Sequence, residues 1–177
     1  ATEFDGGKYI NSPTSPIYNK SDILYNLDLA KQEIRKKDYA ILVEGNVDAI
    51  SSYQAGTTNV IAVSGTSLTD NQIKLLKRFT QNVMIAFDAD VAGTQANLRG
   101  IDLMWQAGLN VKVVHLPEDL DPDDLIRSDL SKWKELLRTA ENFMDYIFKV
   151  TLDELDISRI DHKKKAAAKL LKVISKL

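Results

Sequence analysis

Cysteine is missing altogether, and histidine occurs only twice, at His115 and His162. No disulfide framework, thiolate zinc site or nucleophilic cysteine can be built from such a chain, so any metal must be held by oxygen. No apolar run approaches the roughly 20 residues that a membrane span needs. The opening stretch, ATEFDGGKYI, has no basic region leading into a greasy one. A cytoplasmic setting without membrane contact is expected. Internal repeats and low-complexity segments are also lacking, and the first residue is Ala1, not Met, so a fragment of a longer chain is expected.

What is present is an ordinary globular composition: 177 residues, 44% hydrophobic and 27% charged, enough for one core with an appended piece. The net charge of −2 is unevenly spread. Residues 158–177 carry seven Lys/Arg against the single Asp161, a net of +6, which leaves −8 for residues 1–157. The net charge alone argues against a generic nucleic-acid binder, but an acidic body with a basic end is the better description.

Residues 1–20 read as irregular backbone, with Pro13 and Pro16 forbidding a regular helix. Ile23, Leu24, Leu27, Ala30 and Ile34 recur at helical spacing, so a helix over about 22–37 is expected, with Ser21 as its N-cap. Short apolar runs at 39–43, 59–63, 82–87 and 111–115 read as strands. Between them lie helices closed by Gly56, opened by the capping-box pattern Thr69–Gln72, and stopped at Gly108. Strands alternating with helices imply crossover units, hence an α/β layer with a mostly parallel sheet over 38–128. Residues 1–37 form the lead-in and first helix. From 129 to 177 a helical segment is expected, with one amphipathic helix over 131–150 and another over 160–177. His115, ending an apolar strand, reads as packed, and Lys163–Lys165 as a solvated helix face.

Two of the strands run directly into acid. Glu44 follows the first and Asp88 the third, at the carboxyl ends of parallel strands, where ligands of such sheets bind. In an extended Asp88-Ala89-Asp90 both carboxylates point to one side. Asp48, four residues after Glu44, lies across the turn into the next helix. Clustered carboxylates raise one another's pKa unless a cation neutralises them, and Mg²⁺ is the hard cation that suits oxygen ligands and phosphate chemistry. Taken singly, Glu44 and Asp48 also read as solvated loop or capping residues, and Asp121 before Pro122 as a helix N-cap.

E-G-x-x-D (Glu44, Gly45, Asp48), D-x-D-x-A-G (Asp88, Asp90, Ala92, Gly93) and D-P-D (Asp121, Pro122, Asp123) together resemble the Toprim superfamily. Lys8-Tyr-Ile-Asn-Ser-Pro13, Lys20, Gln54-Ala-Gly56, Ser64-Gly-Thr66, Leu75-Leu-Lys77 and Leu116-Pro-Glu118 are similar to the RNA-polymerising core of bacterial replicative DNA primases. The likeness covers about residues 8–150 and implies a Toprim-like, Rossmann-type sheet flanked by helices.

It further implies DNA-templated joining of ribonucleotides into a short primer. Glu44, Asp88, Asp90 and Asp121 would hold Mg²⁺, or Mn²⁺ in its place, with Asp48 and Asp123 as further ligands or as groups orienting water. Glu44 would alternatively shuttle a proton. Lys8, Lys20, Gly45 and Gly93 would meet nucleotide or template. Single-stranded DNA and ribonucleoside triphosphates would be the partners, and a replicative helicase would bind through a domain outside these residues. No zinc is expected within them. Two positions depart from the family pattern: Asn46-Val47 stands where Tyr-Met is usual, and Ala89 where glycine is usual, but neither removes a carboxylate. A Toprim nuclease and a non-catalytic nucleic-acid-binding Toprim module are the other readings, and Lys8–Pro13 favours primase over both.

Overall fold

The computed structural model describes residues 13, 15–64, 68–87, 95–117, 119–153 and 155–175. Its centre is a five-stranded sheet in the order β2-β1-β3-β4-β5. The strands are β1 (Ala40–Val43), β2 (Val60–Ala62), β3 (Asn82–Ala86), β4 (Asn110–Val113) and β5 (Glu141–Asn142). The first four are mutually parallel, and β5 runs antiparallel to β4.

Side-chain alternation sorts each strand onto two faces. Ala40 and Leu42, Val83 and Ile85, and Val111 and Val113 share one apolar cluster, while Ile41, Val43, Met84 and Ala86 meet the other. The first face is covered by α1 (Leu27–Lys37), α3 (Asp70–Leu76), α4 (Gln95–Gln106) and α7 (Phe143–Asp153), through Ala30, Ile34, Ile73, Met104 and Phe143. The second is covered by α2 (Asn46–Gln54), α5 (Pro122–Ser128) and α6 (Leu130–Arg138), through Ala49, Leu125 and Trp133. All four β1 residues are wholly inaccessible, which is why that strand reads as an unbroken apolar run. Each large apolar side chain so buried contributes about 1.5–3 kcal/mol. Trp133, also inaccessible, satisfies its indole N–H by donating to Thr57 Oγ1 at 3.1 Å.

Local signals act as expected in several places. Thr69 Oγ1 accepts from the Gln72 N–H and Gln72 Oε1 from the Thr69 N–H, a closed capping box. Gly56 and Gly108 follow their helices with φ of +90° and +77°. Three expectations need correction. The helix expected from residue 22 begins at Leu27, behind a 3-10 turn at Lys20–Asp22. Tyr25 instead pairs antiparallel with Ala62, and Asn26, at φ 65°, donates its amide to Val60 O at 2.9 Å. The outer edge of β2 is thereby covered, a demand that outweighs helical spacing.

The single helix expected over 131–150 is broken at residues 139–142, where β5 pairs Asn142 with Lys112 and Glu141 with Val113. The sheet thus draws its last strand from beyond residue 128. His115 is not packed away. Its side chain is 40% exposed, 3.1 Å from Glu141 and tilted against the Tyr146 ring. The last helix, α8 (Ile160–Ile174), buries Ala166 and leaves Lys163, Lys164 and Lys165 in solvent, as expected.

Candidate active site at the carboxyl edge of the sheet

β1 delivers Glu44 to the carboxyl edge, half-buried, with its Oε2 atom inside the fold. Gly45 follows in extended conformation (φ −99°, ψ 156°) and starts α2. Asp48, three residues into that helix and only 8% exposed, accepts the Gly45 N–H through Oδ2 at 3.0 Å. A carboxylate in the first turn satisfies an orphan amide and matches the positive end of the helix dipole. The torsions of Gly45 suit any residue, but a Cβ there would stand 2.8 Å from Asp48 Oδ2 and force that carboxylate to shift.

The other oxygen of Asp48 reaches across the fold. Asp123 N donates to Asp48 Oδ1 at 3.4 Å, joining the E-G-x-x-D turn to the D-P-D segment 75 residues later. That segment opens α5. Asp121 is its N-cap, with Oδ1 accepting the Asp124 N–H at 2.7 Å, and Pro122 stands in the first turn, where no amide is missed. Asp123 Oδ1 accepts from the Ser51 hydroxyl and from Arg127 Nε, the latter at 2.7 Å. This bond and the Asp123 charge hold the Arg127 guanidinium above its usual pKa. Asp123 is 16% exposed and Arg127 70%, so the pair orients the carboxylate more than it stabilises the fold.

One supporting group was not apparent from the sequence. Ser64, just past β2 and at φ 61°, donates from Oγ to Asn46 Oδ1 at 2.6 Å. A left-handed serine costs of order 1 kcal/mol and is held in place by its surroundings. It fixes Asn46, one of the two positions that depart from the family pattern. The Ser64-Gly-Thr66 turn was the only sequence signal, and it gives no partner.

Of the expected site residues, Asp48 and Asp123 are brought into direct contact, with Glu44, Gly45 and Asp121 on the segments they tie. Lys20 is half-buried in the 3-10 turn, its carbonyl accepting Gln72 Nε2 at 3.2 Å on the α3 side. Lys8, Asp88, Asp90 and Gly93 lie outside the described residues. Among the described residues no three His, Asp or Glu side chains stand close enough to hold a metal. The donors that are described are carboxylate oxygens with one Glu44 oxygen buried, the donor chemistry of a hard divalent cation.

A family model described as Toprim-like matches residues 41–126, from β1 through α5. That stretch is a Toprim-like domain. The chain is 46% identical over 123 residues to a DNA primase of Halalkalibacterium halodurans, covering 70% of this chain and 20% of that protein. Its fold superimposes on the zinc-binding and RNA polymerase domains of the Aquifex aeolicus primase with a TM-score of 0.83 and 32% identity, covering 99% of this chain and 42% of that one. A primase catalytic domain bound to single-stranded DNA is similar at a TM-score of 0.82 and 29% identity, over 98% of this chain and 57% of the other. The chain spans about a fifth of the length of the curated primase it matches.

Proposed function

We propose that this chain is the metal-holding part of a DNA primase core, which joins ribonucleotides into a short RNA primer on a single-stranded DNA template in the bacterial cytoplasm. The observation that carries the reading is the bond from Asp123 N to Asp48, which draws two separate acidic motifs to one edge of the sheet. The similarity to primases and to a primase domain holding single-stranded DNA supports it.

Glu44 and Asp121, with Asp88 and Asp90, would hold Mg²⁺. The chemistry that Mg²⁺ would supply there is a lowered pKa for an attacking hydroxyl and neutralised charge on the phosphate and the departing pyrophosphate. The chain's own residues set the stage. Asp48 spends both oxygens on backbone amides, fixing the Glu44–Gly45 turn and the start of α5. Asp123, balanced by Arg127, adds little free negative charge, so it is a positioning residue and not a principal ligand. Gly45 leaves the backbone open to a phosphate. Lys8 and Lys20 would meet template or nucleotide phosphate, contacts that salt weakens. Residues 38–128 act as the metal-binding unit, between the lead-in at 1–37 and the helical segment at 129–177. A replicative helicase would engage the longer protein.

The test is incubation of the protein with single-stranded template, ribonucleotides and Mg²⁺ or Mn²⁺, alongside a Mn²⁺ titration. New RNA, with Mn²⁺ binding lost in Glu44→Gln, is expected. Shortened template would replace the reading by a nuclease, and Mn²⁺ binding unchanged in Glu44→Gln would remove the metal site from this edge.

A further inference from the structure

The opposite edge of the sheet is built differently. The burial of β4 alternates strictly: Val111 and Val113 are buried, whereas Asn110 and Lys112 are exposed. Among the described residues no helix buries Lys112 on that part of the second face, whereas β1 is covered on both sides. A cleft of about 330 Å³ lies there at the amino ends of β1, β3 and β4, within the size range of small-ligand sites.

Its apolar surface comes from Met84 and Tyr39, both half-buried. One wall is a fixed relay of polar groups. Thr80 Oγ1 and Asn82 Nδ2 both donate to the Asp38 carboxylate, at 3.0 and 3.1 Å, and Asn110 Nδ2 donates to Asn82 Oδ1 at 2.9 Å. The relay leaves Asn110 with its Oδ1 and a second amide hydrogen, the acceptor and donor pair that recognises a nucleobase edge. The Lys37 ammonium is committed to Asn59 Oδ1 at 3.1 Å. The Lys112 ammonium, in mid-strand, makes no ion pair or side-chain hydrogen bond among the described residues.

A thioether and a phenol that accept a flat ring, an oriented amide and one uncommitted ammonium together match a base joined to a phosphate. We propose that this cleft is a second nucleotide site, taking a free nucleoside monophosphate without metal, apart from the acidic edge. Strands of four or five residues separate the two edges by about 13–16 Å. The site goes beyond the primase reading and does not depend on it.

The test uses the whole chain with EDTA present, which silences nucleotide binding at a metal-dependent edge. Amide chemical shifts are followed while AMP, GMP, CMP or UMP is added, with adenosine and inorganic phosphate as the separated halves. Saturable shifts at Tyr39, Asn82, Asn110 and Lys112 are expected, with the halves and the variants Lys112→Met and Asn110→Ala each weaker by about tenfold or more. Lys112 and Asn110 are exposed, and retention of the parental amide spectrum confirms that the variants fold. The proposal is overturned if no monophosphate perturbs these amides at millimolar concentration, if both variants bind like the parent, or if Glu44→Gln abolishes the shifts.

Discussion

The two edges of one sheet are chemically opposite. At the carboxyl edge, carboxylates are organised by backbone: Gly45 N and Asp123 N converge on Asp48, and Asp124 N on Asp121. At the amino edge, side-chain amides are organised by one another, with Asn110 donating to Asn82 and Asn82 to Asp38. β1 and β2 between them are wholly buried, so each edge can be altered without unfolding the other. A negative edge held by amide N–H groups is suited to cations, whereas an amide relay beside a lone lysine is suited to polar rings and anions. The carboxyl edge draws its groups from the turns and helix starts after the strands, the amino edge from Asn82 and Asn110 at the first positions of β3 and β4.

The largest break in this comparison is expected from Glu44→Gln, isosteric at a half-buried position. Mn²⁺ affinity and primer synthesis should fall by more than the roughly 10–100-fold that loss of a merely supporting group costs, while the amides of Asn82 and Asn110 stay unshifted. Asp48→Ala comes next. Two amides lose their acceptor, so stability should drop by about 1–3 kcal/mol in urea unfolding, and metal affinity by about 10–100-fold. Gly45→Ala attacks the same contact sterically, with a smaller expected loss of about 1 kcal/mol. In the Asp48→Ala background it should cost almost nothing more, and simple additivity would show that the 2.8 Å approach is not what demands glycine. On the other edge, Asn82→Ala should cost about 0.5–1.5 kcal/mol by opening the relay, with Mn²⁺ affinity unchanged.

The smallest effect is remote from both edges. Asp156 is held below its usual pKa by bonds from Ser158, and Asp161 by a bond from Arg159, at the entrance to α8. Depressed folded values mean stabilisation that is present above the unfolded carboxylate pKa and lost as pH falls through the folded one. Acid below the ordinary carboxylate range should therefore loosen the Ser158 amide, and Asp156→Asn should remove that pH response when followed by amide shifts.

How far the chain could be read in advance depended on the range of each interaction. The Thr69 capping box, Gly56, Gly108 and the Asp121–Pro122 helix start close within a few residues, and all were legible. So were the four parallel strands: burial on both faces writes β1 and β2 as continuous apolar runs, and β4 shows as alternating valines. β5 was not, since Glu141 and Asn142 carry no strand signal and become a strand only by lying beside Val113 and Lys112. The delayed start of α1 has the same cause, the pairing of Tyr25 with Ala62. In the site, acids at strand ends were legible as types and positions, but not the partners of Asp48, Asp123 or Ser64.

Sequence by itself determined the oxygen-only donor set, the alternation of strand and helix, and the acid at the strand ends, because composition and period are properties of the chain. Tertiary structure alone decided that Asp48 would meet Asp123, that the Ser51 hydroxyl would reach Asp123, and that Lys112 would stand on an uncovered face. Those outcomes need elements tens of residues apart to pack in one register, and no local pattern encodes a distance of 3.4 Å between segments separated by most of a sheet.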